Sequence, residues 1–265
     1  MTTAAATGSG ATQGELWGRR PQEWAAVEEQ QRPTYEEGIR RAGIKPGDRV
    51  LDVGCGTGVF LEAVTKLGAR PHGFDASRRL LRIARARVPQ AELRVGDAQS
   101  LPFGDDSFDA VTGFNSFFFA EDMIAALREA GRVAKPGAPV LIQVWGRPER
   151  CDLTPMLAAV GSLRPRDPEP GPERPPLWGP GVLEQLATSA GLMPDSAFDL
   201  NTAFEFPDEE ALVGCTLAPG PVGDAVRHSG EAAVAAAIAE ALEPKRRADG
   251  SYRLENVWHY LLTRA

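Results

Sequence analysis

The stretch Val50-Leu51-Asp52-Val53-Gly54-Cys55-Gly56-Thr57-Gly58 has residue types suited to holding a nucleotide-like ligand that carries positive charge. An apolar run stops at Gly54, glycines alternate at 54, 56 and 58, and Phe60, Ala63, Val64 and Leu67 then repeat at helical spacing. Glycine tolerates positive φ and lets the main chain approach a ligand without Cβ interference. The helix that follows leaves its first N–H groups unpaired. A dinucleotide site would space its glycines G-x-G-x-x-G, with the last at the helix–strand contact. Here the spacing is G-x-G-x-G and position 59 is Val. Asp52 also sets a carboxylate just before the turn, a poor neighbour for pyrophosphate and a good one for a cation.

Two more acids follow at telling distances. Asp75 comes after Pro71-His72-Gly73-Phe74, and Asp97 lies within Gly96-Asp97-Ala98 after the next predicted strand. Either acid alone reads as a helix cap or a loop residue. Taken in order, they fall at successive strand ends of one crevice, where open α/β sheets bind ligands.

Together with Leu101-Pro102-Phe103, Asp106-Ser107-Phe108-Asp109 and Arg132-Val133-Ala134-Lys135-Pro136-Gly137, these stations make residues 49–146 resemble the class I S-adenosylmethionine-dependent methyltransferases. The likeness is to the branch of ubiquinone/menaquinone-type and small natural-product enzymes. It implies S-adenosyl-L-methionine as cofactor and S-adenosyl-L-homocysteine as product. It further implies a cofactor set of Asp52, Gly54, Cys55, Gly56 and Gly58 in the turn, with Asp75 on the ribose hydroxyls and Ala76 beside it. Asp97 and the Ala98 amide would address the adenine edge. Asn115, at the end of the fourth strand, would face both the cofactor sulfur and the acceptor through its carbonyl or its side-chain amide. Read from the residues alone, Cys55 is a small hydrophobe packed in the turn.

Methyl transfer from a sulfonium has an excellent leaving group, so the protein must chiefly orient the reactants and exclude water. A base is required only when the acceptor loses a proton. Of the three histidines, His228 is the preferred base because it falls in a segment read as a cap, with a solvated loop histidine as the alternative. His259 reads as packed on a sheet face, and His72 as a residue lining the cofactor pocket. Trp24, Tyr35 and Phe118 are substrate-pocket candidates, against a reading as ordinary packing. The implied activity is methylation of an oxygen or carbon of a small, hydrophobic or aromatic metabolite of secondary or quinone-type metabolism. The alternative is a methyltransferase-like protein that binds the cofactor for a structural role or for a non-methylating reaction such as a cyclisation.

The elements that must position these residues are strands near 49–53, 71–74, 91–95, 109–114, 139–145, 196–206 and 253–262, alternating with helices. That alternation predicts right-handed crossovers and an α/β, Rossmann-like, seven-stranded sheet, mostly parallel with an antiparallel last strand and helical cap insertions. Residues 1–14, small and polar, predict a disordered tail, and 15–265 one methyltransferase domain that opens on a helix over Glu15–Arg41. Within it, 147–180 is a proline-rich insert whose Pro165, Pro168, Pro170, Pro172, Pro175 and Pro176 imply a surface loop. Residues 207–250 form a second insert with helices at 209–217 and 231–242. It reads as a cap that sets specificity, or else as an ornament or homodimer contact.

Composition narrows the partners. A net charge of −7, with no lysine-rich face interleaved with aromatics, argues against a nucleic-acid partner. Arg78, Arg79, Arg82, Arg85 and Arg87 read as a solvated helix face. The three cysteines stand too far apart for a disulfide framework or a metal knuckle, so no metal is expected. Neither a signal peptide nor an apolar run of about eighteen residues is present. The expectation is a cytoplasmic enzyme with a small-molecule acceptor and no membrane insertion.

Overall fold

The computed structural model describes residues 9–165 and 175–265. Its strands are β1 (Arg49–Val53), β2 (Arg70–Asp75), β3 (Glu92–Val95), β4 (Ala110–Phe114), β5 (Pro139–Trp145), β6 (Met193–Phe206) and β7 (Tyr252–Arg264). They form one seven-stranded sheet in the order β3-β2-β1-β4-β5-β7-β6. The first five are parallel, and β7 runs antiparallel to both β5 and β6. The expected sheet is therefore present. Strand order reverses between β1 and β4, which opens a crevice at their C-terminal ends.

Among the described residues three helices precede the sheet: α1 (Ser9–Trp17), α2 (Pro21–Glu29) and α3 (Arg32–Ala42). Crossover helices α4 (Val59–Leu67), α5 (Arg78–Arg87) and α6 (Met123–Val133) link the parallel strands, and α7 (Thr154–Ser162) and α8 (Val182–Ser189) lead to β6. Between β6 and β7 come α9 (Glu209–Thr216), α10 (Val222–Ser229) and α11 (Glu231–Leu242). One core layer joins Phe60, Val64 and Leu81 to Trp258, Tyr260 and Ile238. The other gathers Leu51, Val53, Leu127, Ile142 and Leu183. With apolar cover on both faces, Val50–Val53 lie fully buried, as a parallel central strand requires.

The structure departs from the sequence expectations in four places. The single helix over Glu15–Arg41 is instead three, because Pro21 and Pro33 sit in the first turns of α2 and α3, where proline starts a helix and cannot continue one. Residues 9–14, expected as part of a disordered tail, are helical; residues 1–8 lie outside the described residues. A segment this rich in glycine has little propensity of its own, and contacts to the strand ends hold it in place. The insert 207–250 carries the additional helix α10, and its Leu212, Val222, Val234, Ile238 and Leu242 are buried in the core. Last, β6 starts at Met193 rather than at 196, as an exposed edge strand along β7.

Of the proline-rich insert, Pro168, Pro170 and Pro172 lie outside the described residues. No helix among the described residues is long and apolar enough to cross a membrane.

Candidate functional site

Three carboxylates converge on the glycine turn. Asp52 on β1 is 3% exposed, and its Oδ1 accepts the Thr112 hydroxyl of β4 at 2.8 Å. Asp75, the last residue of β2, accepts the Gly56 N–H through Oδ2 at 2.9 Å and the Ser77 N–H through Oδ1 at 2.7 Å. Glu28, from α2, accepts the Thr57 N–H through Oε2 at 2.8 Å. In a phosphate-binding loop these consecutive amides would face an anion. Here the chain's own carboxylates take both.

Burial is the main force on all three acids. It pushes Glu28 up to about 7 against the opposing hydrogen bond from Thr57. It pushes Asp52 to about 8 against the Thr112 bond, with the charges of Glu28 and Asp75 adding to the rise. It also raises Asp75, against the amides of Ser77 and Gly56. None of the three pairs with a lysine or arginine among the described residues. A cationic ligand is what this floor lacks.

The turn itself depends on glycine. Gly54, Gly56 and Gly58 all have positive φ, at 82°, 52° and 84°. A Cβ on Gly54 would stand 2.3 Å from the Cβ of Ser116, and one on Gly56 would stand 2.6 Å from Glu28 Oε2. The main chain is thus walled by the end of β4 on one side and by α2 on the other.

Above the acids lies a cavity. Its sheet side carries Gly54, Gly56, Asp75, Ala76, Asp97, Ala98 and Asn115, and its helical side carries Gln13, Trp17, Trp24, Glu28, Gln31 and Tyr35. The Trp17 ring meets Trp24 edge-on at 4.7 Å and Phe119 at 5.3 Å, giving one end an aromatic wall. Asp97, at the end of β3, is satisfied within the chain. Its Oδ2 accepts the Gly10 N–H at 2.8 Å and the Ser9 hydroxyl at 3.3 Å, and its Oδ1 accepts from Gln99 N and Nε2 at 2.9 and 3.0 Å. Burial alone would raise the pKa of Asp97, but these bonds outweigh it and hold the carboxyl low.

Asn115 stands just past β4 with φ +50°, a left-handed conformation that asparagine tolerates better than most residues. Its N–H donates to the Gln143 carbonyl at 3.0 Å. The Gln143 amide in turn donates to the Tyr260 hydroxyl at 3.0 Å, which donates to the Thr34 carbonyl at 3.1 Å. That chain braces a strained backbone across β4, β5, β7 and α3. Asn115 Oδ1, Ser116 Oγ and Gln13 Oε1 are buried without a hydrogen-bond partner, and all three residues border the cavity. Buried polar atoms left unpaired are rare enough to point to a ligand. Each oxygen of Asp75 retains a free lone pair, so the acid can still accept from a diol. Diol acceptor, cation-seeking floor, orphaned polar atoms and aromatic wall together fit an adenosine ligand with a positively charged tail.

Several residues singled out from sequence lie elsewhere. Asp52, Cys55 and Gly58 sit below the cavity floor: Cys55 packs against Gly73, and Gly58 against Ala84. His228 is exposed on α10, whose opposite face, with Val222, Gly223 and Ala225, is the one that packs inward. His259 bonds Asp199 on the outer sheet, with Nδ1 2.9 Å from Oδ1. His72 sits against Phe108, away from the cavity. Phe118 also turns away, because the 3-10 turn over Phe117–Phe119 rotates successive rings by about a third of a turn. Phe117 enters the core and Phe119 takes the place at the cavity.

Sequence reasoning missed Glu28, Gln31, Trp17 and Gln13. A signal for the first two was present: Trp24, Val27, Glu28, Gln31 and Tyr35 share one helical stripe, and polar residues on an inward stripe mark a lined pocket. No such pattern marks Gln13.

A family model described as a methyltransferase domain matches residues 51–142. An uncharacterized protein of Mycobacterium tuberculosis is 33% identical over 248 residues, which span 86% of this chain and 84% of that one. The demethylmenaquinone methyltransferase of Renibacterium salmoninarum is 36% identical over 110 residues, 42% of this chain and 46% of that enzyme. The likeness to the latter thus covers about half its length. Among solved structures, the 4+2 cyclase SpnF matches with a TM-score of 0.54 at 21% identity, over 88% of this chain and 80% of that one.

Proposed function

The chain belongs to the class I S-adenosylmethionine-dependent methyltransferases, and from that premise we propose that it methylates an oxygen or carbon of a small, flat, hydrophobic or aromatic acceptor of the quinol or phenol kind. The observation that carries this reading is the aromatic share of the cavity's lining. Beside the acids Glu28, Asp75 and Asp97, the aromatic side chains Trp17, Trp24, Tyr35, Phe114 and Phe119 border it. The remaining polar side chains at the cavity include the neutral Gln13, Gln31, Asn115 and Ser116. An uncharged, planar acceptor would lose little on leaving water for such a wall and would gain ring contacts. The name of the demethylmenaquinone relative points to the same acceptor class.

When bound, the cofactor supplies a methyl group on a positively charged sulfur. The chain's part is placement. Asp75 accepts from the ribose hydroxyls, Ala76 and Ala98 lie along the adenosine, and Asp97 marks the adenine edge. Asp52, Gly54, Cys55, Gly56 and Gly58 shape the floor beneath. Asn115, fixed by its strained turn, presents an amide oxygen to the acceptor's hydroxyl, while Trp24 and Tyr35 exclude water and hold the acceptor's plane. No histidine among the described residues borders the cavity, so acceptors that ionise readily, such as hydroquinones, suit the site best.

Residues 15–265 act as one catalytic domain in this reading, with α1 as an extension of it. Support for a cap role of 207–250 is indirect: none of its residues lines the cavity, yet Gly220 packs flat on the Trp17 ring, where a Cβ would come within 2.6 Å of Nε1. The insert backs the wall that faces the acceptor.

The test is turnover. Purified protein incubated with S-adenosylmethionine and a panel of reduced naphthoquinones and simple phenols should form S-adenosylhomocysteine together with a product one methyl heavier, read by mass spectrometry. Formation of S-adenosylhomocysteine only with amine or carboxylate acceptors would refute the acceptor class. An isomerised product without loss of the cofactor's methyl would favour the cyclase alternative.

A further inference from the structure

Glu28 has no place in the family's glycine turn or among the strand-end acids, yet it is as deeply buried as Asp52 and Asp75. It is 3% exposed, borders the cavity, and lies over Gly56 with its carboxylate where a Cβ on that residue would meet Oε2 at 2.6 Å and Oε1 at 3.0 Å. Its neighbour Glu29 explains why it faces inward. Glu29 points outward and binds Arg87 of α5 at 2.9 Å, and it also pairs with Arg32. Arg32 reaches Glu62 of α4 at 2.7 Å. These pairs set the rotation of α2 against α4 and α5, and one residue's step about a helix axis, roughly 100°, turns Glu28 toward the cavity. Arg87 also donates to the Thr57 carbonyl at 3.2 Å while the Thr57 N–H donates to Glu28. The loop residue that holds the carboxylate is therefore clamped from both sides.

A carboxylate buried this deeply without a cationic partner is costly unless something supplies the charge. Among the described residues no lysine or arginine reaches it, and Asp75 adds further negative charge nearby. Asp75 marks the ribose end of the turn through Gly56 N–H, and Glu28 marks the next amide along, Thr57 N–H. A ligand whose sugar lies at Asp75 and whose tail follows the glycines would end at Glu28. S-adenosylmethionine has two positive centres, and only its primary ammonium has N–H groups to donate.

We infer that Glu28 binds the primary ammonium of the cofactor's amino-acid tail, completing with Asp75 an acidic cradle that selects a cationic tail over a phosphate. The inference rests on the methyltransferase reading and adds to it a residue outside the glycine motif.

The experiment compares two ligands on two proteins by calorimetry. S-adenosylhomocysteine carries the tail; methylthioadenosine keeps adenosine and sulfur and lacks it. Glu28→Gln keeps the size of the side chain and an oxygen for the Thr57 N–H. S-adenosylhomocysteine should bind the variant roughly ten- to hundredfold more weakly than it binds the wild type, as for loss of a charge-assisted hydrogen bond. Methylthioadenosine should bind both within about twofold, which also certifies the fold of the variant. In a check that needs no variant, the analogue of S-adenosylhomocysteine without its amino group should bind the wild type about as weakly as S-adenosylhomocysteine binds Glu28→Gln. Equal losses for both ligands, or no loss for S-adenosylhomocysteine, would overturn the assignment. Normal affinity with turnover lost would move Glu28 to the acceptor side and overturn it too. If the wild type binds neither nucleoside, the methyltransferase reading fails and the inference falls with it.

Discussion

At pH 7 Asp52 holds a proton that a surface aspartate would have lost, because it is enclosed beneath the glycine turn with Glu28 and Asp75 nearby. An acid whose folded pKa lies above its unfolded value binds more protons in the folded state, so its share of stability is complete below the unfolded pKa, near 4, and is lost as pH rises through about 8. Asp52→Asn imitates the protonated form and removes that loss. The variant's melting temperature should therefore fall less than that of the wild type between about pH 5 and about pH 9, with the two curves meeting at the acid end. Because Glu28 and Asp75 titrate in the same cluster, some slope should persist. Parallel curves would show that Asp52 is already ionised in the fold. At this scale the sequence was partly legible. Asp75, Asp97 and the glycines stood out because spacing alone tied them to strand ends. Glu28 shares the stripe of Trp24, Val27 and Tyr35, but the run Glu28-Glu29-Gln30-Gln31 masks that signal by looking like the solvated side of a helix until the rotation set by Arg32 and Arg87 is known.

At the scale of elements, α1 is the part the sequence hid most completely. Its glycines make it a weak helix in isolation, and they are also what lets it lie against the strand ends. A Cβ on Gly14 would stand 2.3 Å from the Ala76 carbonyl oxygen, and one on Gly10 3.1 Å from Asp97. Helix propensity and contact thus make opposite forecasts for Gly14→Ala. Propensity alone predicts a gain of about 1 kcal/mol. The contact predicts that α1 is pushed off the β2–α5 turn, with a lower melting temperature and faster proteolysis or amide exchange across residues 9–17. A stabilised variant with slower exchange would mean that α1 does not rest on Ala76. The other elements were legible where periodicity and punctuation agreed, as at α4 and α5. They were not legible where proline divided one apolar stripe into α2 and α3, nor at α10, whose eight residues sit between glycine- and proline-rich segments. Arg87 illustrates the same limit, since the arginine face of α5 is exposed at Arg78, Arg79, Arg82 and Arg85, while Arg87 is the clamp on Thr57.

The whole molecule places its ligand site where the strand order reverses, with an acidic floor supplied by β1, β2 and α2 and an aromatic wall supplied by α1, α2 and the turn after β4. The parallel half of the sheet could be read from strand spacing, because buried strands and amphipathic helices alternate at regular length. The packing of residues 207–250 behind α1 could not, since a long insert's contacts are tertiary and leave no local pattern. This floor suits a positively charged nucleoside and disfavours a pyrophosphate. Isothermal titration of one protein preparation with S-adenosylmethionine and with NAD reads out that preference. S-adenosylmethionine should bind saturably and NAD more weakly by roughly a hundredfold or more, since two phosphate charges would meet Glu28 and Asp75. Equal or tighter binding of NAD would contradict it.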